Sequence, residues 1–148
     1  MNIISAMNEE QQNLPQPSFE QKTKVANTFL TAMKTNDWEL MRSVMAPDLQ
    51  WTLPGQSLLS GPAVGVDAVI NRAQSLKKFG VMFQLLHILY SWDGVALLLH
   101  NTGKRESLVL DQFVTIAFQL DGETITGMTT YLSDVPGIEQ FFVSGIID

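Results

Sequence analysis

The sequence predicts an α+β fold: a cone-shaped, curved antiparallel sheet wrapped around three N-terminal helices, in the order α-α-β-α-β-β-β-β. Three observations carry this. Apolar residues recur at helical spacing through residues 19–45 and again after Gly65. The second half alternates apolar and polar residues in long runs, divided by Asp93-Gly94 and Asp121-Gly122, which are strong two-residue hairpin signals. The length of 148 residues, with 45% hydrophobic composition, suits one packed domain rather than two. Consecutive hairpins make a meander, and helices segregated to its face make an α+β fold.

Residues 8–17 are polar and proline-punctuated, and 1–17 read as a flexible arm; residues 18–148 form the single domain. Ser18 with Gln21 fits a capping box, and Val25, Ala26, Phe29, Leu30 and Met33 follow at helical spacing, so helix one runs over about 19–35. Asn36 is the expected cap of a second helix with Glu39 in its first turn, ending before Pro47. Leu49, Trp51 and Leu53 alternate with polar residues as a first strand, turned by Pro54-Gly55. Residues 56–65 read as loop, and 66–78 as a third helix, with Gly80 just beyond its end. Four strands follow, over 81–92, 95–102, 108–120 and 123–133. The apolar tail after Pro136 reads as a short helix or an added strand.

The turns set expected registers. With Asp93-Gly94 as turn residues, His87 lies opposite His100, and these are the chain's only histidines. Facing strand residues bring their Cβ atoms within about 4.5–5.5 Å, close enough to share a proton or a metal, although a zinc site needs further ligands. With Asp121-Gly122 as turn residues, Phe118 meets Ile125. A bulge at Gly127 then sets Met128 opposite Ile116, Thr130 opposite Val114, and Leu132 opposite Gln112. These side chains form the expected concave wall. Asp111, Phe113, Thr115 and Tyr131 then point outward, and exposed Phe113 and Tyr131 call for a covering partner subunit. A slip of one residue would turn Asp111 inward.

Composition narrows the function. The absence of cysteine excludes disulfides, thiolate metal sites and cysteine nucleophiles. A net charge of −6 and only two small basic groups, Lys77-Lys78 and Lys104-Arg105, argue against nucleic acid, which needs clustered positive charge. Those groups read as a solvated helix end and a loop. The first seven residues lack the pattern of a secretory leader, and no apolar run approaches the roughly 20 residues that span a bilayer, so the expected location is the cytoplasm, with no membrane partner. No motif calls for a cofactor or a dedicated metal site.

Four stretches carry a resemblance to a known family. Residues 29–45 look like paired helices joined at Asn36-Asp37. Trp51-Thr52-Leu53-Pro54-Gly55 looks like a first strand and its turn. Residues 60–70, with Gly61-Pro62 and Gly65, look like a glycine-punctuated entry to helix three. Residues 118–134 look like a closing hairpin. In this order, over about 19–134, the chain resembles the nuclear transport factor 2-like superfamily, and within it the SnoaL-like and ketosteroid isomerase-like branch. The resemblance implies an apolar pocket inside the cone and a homodimer through the outer face of the sheet. It also places Trp51 near the cone's mouth. It carries over no active site. Leu53 stands where enolising members have a carboxylate base, Phe29 and Val114 where isomerases have an oxyanion-donating tyrosine and an acid, and Thr130 where cyclases have an aspartate.

The first expectation is therefore a domain that binds a small hydrophobic molecule in a pocket formed by Phe29, Trp51, Leu53, Gln112, Val114, Met128, Thr130 and Leu132. The alternative is an isomerase, cyclase or dehydratase with a non-standard acid–base set. Its candidates are His87 or His100 as proton shuttle, since histidine titrates near neutral pH, with Gln112, Thr130 or Tyr131 as donor. A second alternative is metal binding by the histidine pair.

Overall fold

The computed structural model describes residues 16–144. The arm expected over 1–17 lies mostly outside them; of its last two residues, Pro17 is buried. Helix α1 (Phe19–Thr35) starts in a complete capping box: the Gln21 N–H donates to Ser18 Oγ at 3.1 Å and the Ser18 N–H to Gln21 Oε1 at 2.9 Å. Its buried stripe is Val25, Ala26, Phe29, Leu30 and Met33. Asn36 ends this helix instead of starting the next one. It takes the left-handed conformation at φ 56°, which asparagine tolerates, and donates its N–H to Ala32 O. The cap passes to Asp37, whose Oδ1 accepts from the Leu40 N–H at 3.1 Å.

Helix α2 (Trp38–Arg42) is shorter than its apolar pattern suggests. The backbone after it is taken up by the sheet: Val44 O accepts from Ile125 N at 2.7 Å, and Ala46 N donates to Ile125 O at 2.9 Å. Strand β1 (Gln50–Leu53) then pairs with β2 (Gly61–Val64), which occupies part of the expected loop. Pro62 sits in β2 opposite Thr52, tolerable because β2 is an edge strand. Helix α3 (Val66–Lys78) follows, and Gly80 turns the chain at φ 81°.

Strands β3 (Met82–Tyr90), β4 (Gly94–Arg105), β5 (Leu108–Asp121) and β6 (Thr124–Leu132) complete a six-stranded sheet in the order β2-β1-β6-β5-β4-β3. All pairings are antiparallel except β1–β6, which is parallel through Trp51–Met128 and Thr52–Thr129. The sheet is curved and open, with β2 and β3 as its edges. Its concave side buries Val95, Leu97 and Leu99 of β4 with Leu110, Val114, Ile116 and Phe118 of β5, beneath the apolar stripes of α1 and α3.

Both hairpin registers differ from expectation. Ser91 pairs with Gly94, the Ser91 N–H donating to Gly94 O at 3.2 Å, so Trp92-Asp93 make the first turn. A bulge between Leu85 and His87 shifts the ladder again; His87 then lies opposite Leu98, and His100 opposite Gln84. The two histidines therefore do not face each other, which removes the geometry of the expected metal pair. In the second hairpin Asp121 pairs with Thr124, so Gly122-Glu123 make the turn, with Gly122 at φ 59°. The bulge falls opposite Gln119 and Leu120, and Met128 faces Phe118, Thr130 faces Ile116, and Leu132 faces Val114. Inward and outward faces survive this shift because every pair moves by one partner position of the same side.

The tail forms helix α4 (Val135–Phe141), capped by Asp134, whose Oδ1 accepts from the Gly137 N–H at 3.0 Å. Ile138, Phe141 and Phe142 are buried, so this helix closes the end of the cone. Among the described residues no helix is long and apolar enough to cross a membrane.

Candidate ligand cavity

Alternation on β4 and β5 sends Asn101, Leu110, Gln112, Val114 and Ile116 to the concave side. With Trp51 and Leu53 of β1, Thr130 and Leu132 of β6, Leu76 of α3 and Phe83 of β3, they line a cavity. Ile138 and Phe142 close it from the tail. Its free volume is about 30 Å³, room for one or two waters and not for an organic ring.

Six of the eight residues expected in a pocket line this cavity: Trp51, Leu53, Gln112, Val114, Thr130 and Leu132. Phe29 and Met128 do not. Phe29 packs beyond it, against Trp51 (ring centroids 6.3 Å apart) and Phe118 (4.9 Å). Met128 is buried opposite Phe118.

The polar groups of the cavity are few and neutral. The Trp51 indole N–H donates to Thr130 Oγ1 at 2.6 Å. Gln112 Oε1 accepts from the Asp134 N–H at 3.3 Å, which orients the amide and leaves Nε2 as a free donor. Gln112 Nε2 and Asn101 Oδ1 are both buried without a partner among the described residues. Asn101 stands directly opposite Gln112. A buried polar atom left unpaired costs about 1–3 kcal/mol, so two in one cavity mark a place built for water or ligand.

Beneath the cavity, Arg72 of α3 donates to the carbonyls of Trp51 and Gly61 and lies over the Trp51 ring, 5.5 Å from its centroid. Burial pushes its guanidinium down to about 10, which still leaves it charged at neutral pH. It fastens β1 to β2.

The histidines do not reach the cavity. His87 is exposed on β3, and His100 lies on the convex face, 2.6 Å from Asp111 Oδ1 and beside Phe113. Neither can exchange a proton with anything inside, which corrects their candidacy as catalytic groups. Asp111, Phe113, Thr115 and Tyr131 share this convex face; Phe113 is 52% and Tyr131 60% exposed. Tyr131 is thereby removed from the internal donors.

Sequence reasoning missed two residues. Asn101 continues the inward alternation of Val95, Leu97 and Leu99, a signal that was present. Arg105, expected in a solvated loop, instead donates to Phe79 O at 2.9 Å and Phe141 O at 2.8 Å and lies 4.6 Å from each of their ring centroids. It latches α4 to the body.

No family model matches the sequence, and no curated protein matches it. Solved structures do. Bal32a, from a soil-derived mobile gene cassette, superposes with a TM-score of 0.77 at 22% identity, over 83% of this chain and 97% of its own. A nuclear transport factor 2-like protein of Burkholderia xenovorans gives 0.73 at 19% identity, over 84% and 98%. A candidate SnoaL-like polyketide cyclase of Jannaschia gives 0.67 at 13% identity, over 88% and 99%. With the element order and open curved sheet described above, these likenesses show that the chain has the nuclear transport factor 2-like fold that SnoaL-like proteins share.

Proposed function

We propose that this protein binds a small, uncharged, largely hydrophobic molecule inside the cone, and that it does so as a homodimer. One observation carries the binding reading: the cavity is walled by carbon, amide and hydroxyl groups, with no ionisable side chain among the described residues that line it. Such a lining suits recognition more than proton transfer, which needs a group that can take up and release a proton. The isomerase or cyclase alternative loses its base with both histidines outside. The dimer reading rests on the convex face, where no helix among the described residues covers exposed Phe113 and Tyr131; a second copy of the sheet is the cover that fits.

Native mass spectrometry of protein taken straight from cells tests the binding reading, alongside a Val114→Leu variant whose extra methylene takes up the free space of the cavity. A small-molecule adduct on the natural protein and none on the variant supports it. No adduct on either, together with no thermal stabilisation by a panel of small apolar compounds, overturns it.

A further inference from the structure

Resting on that binding reading, we propose that the ligand presents a hydrogen-bond donor and acceptor side by side, as on the edge of a lactam or cis-amide, docked between Asn101 and Gln112.

The argument begins with orientation. The Asp134 N–H holds Gln112 Oε1, so Nε2 is left as an unpaired donor at the cavity wall. Directly across the β4–β5 ladder, Asn101 offers Oδ1 as an acceptor. Opposed side chains in an antiparallel pair have Cβ atoms about 4.5–5.5 Å apart, yet these two amides make no bond to each other. One donor and one acceptor therefore stand side by side, both buried and both unpaired among the described residues. A group that bridges them must accept from Gln112 and donate to Asn101. A ketone satisfies only the first, and a hydrocarbon neither. Neither amide carries charge, so a neutral ligand is the better fit than a carboxylate or an ammonium.

The surroundings agree. Leu110, Val114 and Ile138 supply the apolar walls for the rest of such a molecule. The free space of about 30 Å³ holds water but no ring, so entry requires Ile138 and Phe142 to move with α4. Gly137 allows the start of that helix to sit against the site: a Cβ there would lie 3.3 Å from Gln112 Nε2 and 2.5 Å from Asp134 Oδ2. The capping residue of α4 and the polar pair are thus neighbours, and occupation of the site is coupled to the seating of the helix.

The test is a titration of full-length, nitrogen-15-labelled protein with 2-pyrrolidinone and with cyclopentanone. The two rings match in shape, but only the first has a donor beside its acceptor. The readouts are the side-chain amide signals of Asn101 and Gln112. The expected result is that 2-pyrrolidinone binds roughly tenfold more tightly, shifts both signals, and loses its preference in Gln112→Leu. Ile138→Ala, which enlarges the cavity, should tighten both probes and keep the preference. Equal affinity of the two rings in the natural protein and in Ile138→Ala overturns the donor–acceptor inference and leaves the apolar binding reading standing. If neither ring shifts any cavity signal in either protein, both readings fall.

Discussion

Trp51 and Thr130 join the parallel β1–β6 seam of the sheet: the indole N–H of a β1 residue donates to the hydroxyl of a β6 residue at 2.6 Å, and both side chains are buried. Thr130→Val keeps the shape but strands the indole N–H. The expected cost is about 1–3 kcal/mol in urea unfolding, while Thr130→Ser, which keeps the acceptor, should lose less. Equal losses for the two variants would show that the methyl group, and not the hydrogen bond, secures the seam.

Arg105 should act on α4 and little else. Arg105→Met removes two charge-assisted hydrogen bonds to Phe79 O and Phe141 O but keeps much of the apolar stem. Hydrogen exchange over residues 138–144 is expected to accelerate by about tenfold or more, with strands β4 to β6 unchanged. Uniform acceleration across the domain would contradict a local latch.

Gly94 and Gly122 should respond differently to alanine. A Cβ on Gly94 would come within 1.9 Å of the Phe118 carbonyl oxygen, so the two strands would have to separate. Gly122→Ala meets only the strain of φ 59°, with open space around it. Thermal or urea unfolding should show a loss of about 2–4 kcal/mol for Gly94→Ala and about 1 kcal/mol for Gly122→Ala.

The dimer reading predicts that Phe113→Glu or Tyr131→Glu gives a monomer of unchanged circular dichroism. Sedimentation equilibrium measures this directly. A natural protein that is monomeric at high micromolar concentration would refute it.

Arg72 has a pH signature. Burial holds its folded value down at about 10, well below that of the free group. The folded state therefore bears the cost of the charge at all pH values below 10. That cost is relieved as the pH rises above 10, where the unfolded chain still holds the proton. The stability difference between the natural protein and Arg72→Met should be flat from about pH 6 to 9 and then shift in favour of the natural protein. A shift in the opposite direction would mean that the charged guanidinium is stabilised in place.

Much of the architecture is legible in local signals. The Ser18–Gln21 box, the helical stripe after it and the alternation of β5 all act over a few residues, and the structure realises each of them. Strand β2 is not legible, because Pro62 breaks the strand pattern and only its edge position excuses it. The hairpin registers are half legible. Each Asp-Gly pair marks a turn, but Gly94 is needed where β5 passes close by, not for a left-handed turn, and the true turn lies one residue earlier. That step separates His87 from His100. The closure by α4 was out of reach, since it depends on Arg105, Phe79 and Phe141 meeting from three distant parts of the chain.

The parallel seam also dictates timing. Strand β1 leaves the ribosome well before β6, and its own hairpin partner β2 is adjacent, but its other edge must wait for β6, the last of the described strands. Until then the Trp51 indole has no Thr130 to bond, and the growing chain carries an unpaired strand edge in the open. Long-range pairing of this kind slows folding and exposes the nascent chain to aggregation. A translational pause before β6 would lengthen that exposure, whereas one after it would not.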